Sequence, residues 1–195
     1  PEALRVRVLR RLPHDPGAFT QGLEVHSDGR LFESTGMNGH SSVREVTLES
    51  GEVVRRRDVD ARYFAEGLTI VEDRLLQLTW QEGVAFEYDL ATFEPRRELH
   101  YEGEGWGLCL DTRGNRLIMS DGSSTLTFRD PATFEERGTV RVTRQGRGQR
   151  MLNELECVDG VVYANVWQTD ELVRIDPETG HVTAVVNARG LLTRE

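Results

Sequence analysis

Three motifs recur in phase along this chain, and that repetition constrains the fold more than any single residue does. The first opens a strand on a Gly-Leu pair: Phe19-Thr20-Gln21-Gly22-Leu23, Phe64-Ala65-Glu66-Gly67-Leu68, Gly105-Trp106-Gly107-Leu108 and, more loosely, Asn153-Glu154-Leu155-Glu156. Apolar runs of strand character follow at 31–34, 75–80, 117–120 and 161–167. Each repeat then closes on a polar turn: Glu49-Ser50-Gly51, Asp89-Leu90-Ala91-Thr92, Asp130-Pro131-Ala132-Thr133 and Asp176-Pro177-Glu178-Thr179-Gly180. Asp, Pro, Thr and Gly clusters of this kind end one strand and start the next. A period of roughly 40 to 50 residues, filled with short strands and free of helical periodicity, fits the blades of a β-propeller. The reading is all-β, with about four blades of four antiparallel strands in one domain, residues 1–195. A β-sandwich also has short strands and regular turns, but it gives no reason for three motifs to advance together.

The chain has 195 residues and a formal net charge of -9, which argues against nucleic acid as a partner because phosphate binding needs a cationic footprint. The Arg runs at 55–57 and between Arg141 and Arg150 read as solvated strand edges or loops. Five scattered histidines and two cysteines offer no metal-ligand spacing, so neither a metal nor another cofactor is expected. Cys109 and Cys157 fall at equivalent places in successive inner strands and read as buried thiols. No apolar stretch is long enough to span a bilayer. The chain opens at Pro1 without a signal peptide, as it would after removal of a targeting segment.

In an antiparallel blade the start of the innermost strand lies beside the end of the second. This places Gln21, Glu66, Trp106 and Asn153 around one channel mouth, with Thr35, Trp80, Asp121 and Trp167 close behind. Equivalent positions in a repeat should resemble one another, yet these mix an acid, amides and indoles. A concave mouth with apolar walls and few polar groups is the usual build of a small-molecule or peptide-end site. Glu66, between apolar neighbours and Gly67, is the candidate proton-transfer group, because desolvation raises a carboxyl pKa toward the range where it both takes and gives a proton. A carboxylate that merely caps a neighbouring blade is the competing view. Asp121 and Glu154 are rival acids; Asp121, in Ser120-Asp121-Gly122, reads as a turn residue.

The same strings, with Pro13-His14-Asp15, Leu78-Thr79-Trp80 and Ala164-Asn165-Val166-Trp167, resemble the plant- and bacterial-type glutaminyl-peptide cyclotransferases from about Val8 onward. The resemblance implies a five-bladed propeller with a metal-free site on its top face. Glu66 would be the general acid/base there, and Phe19, Gln21, Phe64, Trp80, Trp106, Asn153 and Trp167 would bind substrate. It also implies export, and an N-terminal glutamine of a peptide or protein as the partner. The strings of the family's fifth blade, including a site lysine, do not occur in these 195 residues, so the domain is expected to be incomplete at its C-terminus, with segment 6–9 lacking the blade it would complete. The alternatives are a non-catalytic propeller binding peptides or proteins at the same mouth, and a metal-assisted hydrolase. The sequence is silent on oligomeric state.

Overall fold

The computed structural model describes residues 1–191. No helix occurs among them, and none can therefore cross a membrane. Three meanders of four antiparallel strands follow one another: β2 (Thr20–Val25) to β5 (Val53–Asp58) through β3 (Leu31–Thr35) and β4 (Ser42–Val46); β6 (Ala65–Val71) to β9 (Pro95–His100) through β7 (Arg74–Thr79) and β8 (Val84–Asp89); and β10 (Leu108–Asp111) to β13 (Glu136–Arg141) through β11 (Arg116–Met119) and β12 (Thr125–Arg129). A small hairpin, β14 (Thr143–Arg144) and β15 (Arg147–Gly148), leads into the fourth blade, β16 (Leu152–Val158), β17 (Val161–Val166), β18 (Glu171–Ile175) and β19 (Val182–Asn187). This is the four-blade propeller arrangement that the repeats describe.

The N-terminus departs from expectation. The strand is β1 (Glu2–Arg5), not segment 6–9, and it adds to the fourth blade as a fifth strand, parallel to β19. Val6, Val8 and Leu9 stay exposed, so that segment buries no face that would hold it in a sheet.

Three apolar layers fill the spaces between successive blades. Phe32 and Val43 pack with Leu68, Leu75 and Phe93 between blades one and two. Leu76 and Leu78 meet Leu108, Leu117 and Met119 between blades two and three. Ile118 and Leu126 meet Leu152, Leu155, Val162 and Val173 between blades three and four. The second and third layers join blades whose strands are separated by dozens of residues, which is how a meander with short loops gains a common core. At the interval between blades four and one lies instead a cavity of about 250 Å³, lined by Leu23, Asn153, Glu154, Glu156, Tyr163 and Asn165.

The polar turns share one geometry. Gly51, Phe93, Phe134 and Gly180 each donate their backbone N–H to the carbonyl four residues earlier, at 2.8 Å, with φ between 60° and 71°. Two of the four carry a benzyl side chain in a region that disfavours one. Phe93 and Phe134 are both 2% exposed, so the rings are buried in the interblade layers that offset the backbone cost. Asp89 and Asp130 cap the same turns, each through one oxygen that accepts from two following N–H groups.

Cys109 and Cys157 form a disulfide and are not free thiols. They lie on β10 and β16, adjacent inner strands whose close approach brings their Cα atoms to 5.5 Å, within bridging range. The sequence places them at equivalent positions but does not give the distance between blades.

Candidate active site

The inner strands touch through glycines. A Cβ on Gly22 would lie 2.6 Å from the Leu68 nitrogen, one on Gly67 2.7 Å from the Trp106 oxygen, and one on Gly107 within 2.8 Å of Glu154 Cα. Backbone atoms cannot yield at that distance, so the Gly of the recurring motif is a packing requirement. Immediately before each glycine stands the residue that differs between blades: Gln21, Glu66 and Trp106. In blade four Asn153 occupies that place, and Glu154 stands where the others have glycine.

A second local device turns these residues toward the mouth. The pairing register slips by one residue between Thr20 and Gly22, between Ala65 and Leu68, and between Leu152 and Leu155. Each slip is a β-bulge, which leaves one residue out of the ladder and re-aims its side chain. Gln21, Glu66 and Asn153 all fall within the bulges.

The second strands return beside these starts as anticipated. Trp80 N–H donates to the Phe64 carbonyl at 2.9 Å, and Gly36 N–H to the Phe19 carbonyl at 2.8 Å. A pocket of about 310 Å³ results, and Phe19, Gln21, Phe64, Glu66, Trp80, Trp106, Asn153 and Trp167 all line it. Met37 completes the wall, exposed and with φ 83°. Thr35 is buried away from the pocket against Ser42, and Asp121 is exposed, its carboxylate accepting from the Ser123 N–H at 2.9 Å to close a turn. Glu154 faces the neighbouring 250 Å³ cavity with Glu156.

The aromatic residues pack edge to face in two groups. Phe19 meets Phe64 with ring centroids 6.2 Å apart, and Phe64 meets Trp80 at 5.7 Å. Trp106 meets Trp167 at 5.5 Å. Gly122 lies under Trp106, where a Cβ would come within 2.6 Å of the indole. Ser120 ties this wall to blade four: its hydroxyl accepts from Gly107 N–H at 2.8 Å and donates to the Asn153 carbonyl at 2.5 Å.

Glu66 is 7% exposed and, among the described residues, is the one titratable residue lining the pocket. Among the described residues no group hydrogen-bonds its carboxyl. Burial, then the negative charges of Glu104 and Glu82, push its pKa from 4.5 up to about 9. The side-chain amides of Gln21 and Asn153 are likewise without a protein partner among the described residues, which leaves their N–H groups available to a ligand oxygen.

Sequence reasoning missed Glu104, Met37 and Ser120. Glu104 lies in a Gly-rich stretch, Glu102-Gly103-Glu104-Gly105, that reads as a loop, and only its nearness to Trp106 could have drawn notice. Its carboxylate accepts from both the Trp80 and Trp106 indole N–H groups, at 2.9 and 2.8 Å. Those donors hold its pKa below the usual carboxylate value, the Trp106 bond first. Among the described residues no cluster of three or more His, Cys, Asp or Glu side chains is placed to hold a metal ion.

Known proteins share this fold. A crystal structure of glutaminyl cyclase from Myxococcus xanthus superposes with a TM-score of 0.89 at 40% identity, covering 100% of this chain and 84% of that one. Virginiamycin B lyase from Staphylococcus aureus, at 13% identity and a TM-score of 0.57 over 83% of this chain and 53% of that one, shares the fold alone. Glutaminyl-peptide cyclotransferase from Arabidopsis thaliana is 43% identical over 192 residues, 96% of this chain. The chain spans 59% of the length of that relative. The sequence pattern of the glutamine cyclotransferase family matches residues 1–195, and the chain belongs to that family.

Proposed function

We propose that this site is a glutaminyl-peptide cyclotransferase centre, converting an N-terminal glutamine of a peptide or protein to pyroglutamate with release of ammonia. The observation that carries the reading is the lone, desolvated Glu66 carboxyl among aromatic walls. Its pKa of about 9 lies close to the ~7.7–8.0 of a peptide α-amine, so a proton moves between the two groups at little cost.

In the reaction the α-amine nitrogen bonds to the side-chain carbonyl carbon of the same glutamine, and the bond from that carbon to the amide nitrogen breaks. The attacking nitrogen sheds a proton, and the departing nitrogen leaves as ammonia only when it gains one. Glu66 enters protonated, gives its proton to the departing nitrogen and takes the one that the attacking nitrogen sheds, so it ends as it began. The amide N–H groups of Gln21 and Asn153 donate to the carbonyl oxygen as it becomes anionic. Attack requires the glutamine side chain to curl back on its own amine, and the indoles of Trp80, Trp106 and Trp167, with Phe19 and Phe64, supply a slot that favours the curled form over the extended one. A positioned proton relay of this kind contributes about 10²- to 10⁴-fold.

Residues 1–195 act in this reading as one propeller domain, since each apolar layer is shared by two blades. The Cys109–Cys157 bridge supports export, because disulfides persist in oxidising compartments. The test is ammonia release from a Gln-initiated dipeptide, abolished by Glu66→Gln. Retained dipeptide binding with no turnover would instead favour a peptide-binding propeller.

A further inference from the structure

We infer that Glu104 is a positioning residue of this site: its carboxylate pins the Trp80 and Trp106 indoles into one wall and sets a negative charge behind the wall of the pocket that Glu66 lines. The inference rests on the cyclotransferase reading for its kinetic consequences, and on geometry alone for the pinning.

Among the described residues the ring-to-ring pairings of the pocket fall into two groups. Phe19, Phe64 and Trp80 form one, Trp106 and Trp167 the other. What joins them is a single oxygen, Glu104 Oε2, which accepts from both indole nitrogens. Its companion Oε1 accepts from the Gln81 side-chain amide at 3.2 Å. Charge-assisted bonds of this type are roughly twice as strong as neutral ones. Glu104 is itself held in place. The next residue, Gly105, donates its N–H to the Trp80 carbonyl at 2.8 Å, and Tyr101 accepts from Thr79 N–H at 3.1 Å and donates to the Thr79 carbonyl, fastening the loop to the end of β7. Pivoting of either indole therefore strains its bond to a carboxylate that the other indole and Gln81 also hold.

The charge acts on Glu66. Among the described residues, the ionisable groups that influence Glu66 or are influenced by it are Glu104, Glu82 and Tyr101, all of them acids. Glu104, kept ionised by its indole donors, opposes ionisation of Glu66. It thus adds to the burial that, first of all, keeps a proton on Glu66 at a pH where an isolated carboxyl would have lost it.

Two variants divide these roles. In Glu104→Gln the amide oxygen still accepts from both indoles but the charge is gone. KM is expected to stay near wild type while the pH limb governed by Glu66 moves to lower pH. Glu104→Ala frees the indoles and is expected to lower kcat/KM by about 10²-fold, the cost of loosening a positioned wall. The activity-independent measurement is the set of indole N–H resonances in a ¹H–¹⁵N spectrum. In wild type those of Trp80 and Trp106 should shift together as Glu104 titrates, while that of Trp167 reports whether the fold is intact. The co-titration should vanish in Glu104→Gln, and both resonances should move in Glu104→Ala. Indole resonances indifferent to Glu104→Ala would overturn the pinning. A wild-type chain that turns over, with Glu104 variants of unchanged KM, kcat and pH limb, would overturn the kinetic role. A wild-type chain releasing no ammonia would sink the cyclotransferase reading and the kinetic role with it, leaving the resonances to decide the pinning.

Discussion

Glu66→Gln should make the protein more stable while removing its activity, and the two effects have separate pH signatures. The carboxyl holds its proton in the folded state up to about pH 9, whereas in the unfolded chain it releases it near 4.5. Between those values the folded state binds more protons than the unfolded one, so stability falls as pH rises through the window. At pH 7 the protein is two and a half pH units above the unfolded value, at about 1.4 kcal/mol per unit. The burden is on the order of 3 kcal/mol, and the uncharged amide does not carry it. At pH 4 the Glu66 carboxyl is largely protonated in both the folded and the unfolded state, and the difference from the amide nearly disappears. Urea unfolding of wild type and Glu66→Gln at pH 4 and pH 7 reads the stability, and ammonia release reads the chemistry. A stability difference equal at the two pH values would refute the desolvated carboxyl. Turnover within tenfold of wild type would refute the proton relay, which should be worth about 10² to 10⁴.

Gly67→Ala should cost about 1–3 kcal/mol in urea unfolding, because the new Cβ would sit 2.7 Å from the Trp106 oxygen and 2.8 Å from Gly107 Cα, backbone atoms that cannot rotate away. Reduction of Cys109–Cys157, which spans 48 residues, should cost about 4 kcal/mol by the chain-entropy account, measured as the loss of unfolding free energy with and without dithiothreitol. Glu156, raised to about 8 by burial and then by Glu24, holds its proton in the folded state where the unfolded chain has lost it, so Glu156→Gln should stabilise at pH 8 and be neutral at pH 4. Equal effects at both pH values in the same unfolding experiment would count against that burial.

The blades were legible because each reuses one solution to one packing problem. The inner-strand glycine, the apolar second strand and the polar turn recur because every interblade layer demands them, and Asn153-Glu154-Leu155 kept the register even without its glycine. The site was legible for the converse reason: Gln21, Glu66, Trp106 and Asn153 differ where the scaffold permits difference. What remained hidden depends on relations between blades. The bulges at Gln21, Glu66 and Asn153 are register slips against a partner strand, and nothing in the local sequence marks them. The Cys109–Cys157 bridge follows from how closely Gly107 lets β10 approach β16. The place of β1 depends on which sheet edge is free to accept a strand. Glu104 looked like part of a flexible loop until its two indole partners were seen to come from different blades.

The exception in blade four shows what the glycine contacts accomplish elsewhere. Gly22, Gly67 and Gly107 let the neighbouring strand lie against bare backbone, and the three apolar layers fill in behind. Glu154 fills its gap with a carboxyl that faces the Leu23 backbone N–H across the interval to blade one, with Glu24 and Glu156 close by. Burial raises the pKa of all three acids, the direction expected of groups held together by proximity rather than by counter-ions. Gln21 and Asn153, the two proposed donors to the developing oxyanion, stand on opposite sides of this interval. Between them lies a polar cavity, whereas Glu66 and Trp106 are held by apolar packing and a 2.8 Å backbone bond from Gly67 to the Trp106 carbonyl. The proposed proton relay thus sits at an apolar interval between blades two and three, and the proposed oxyanion donors flank the polar cavity between blades four and one.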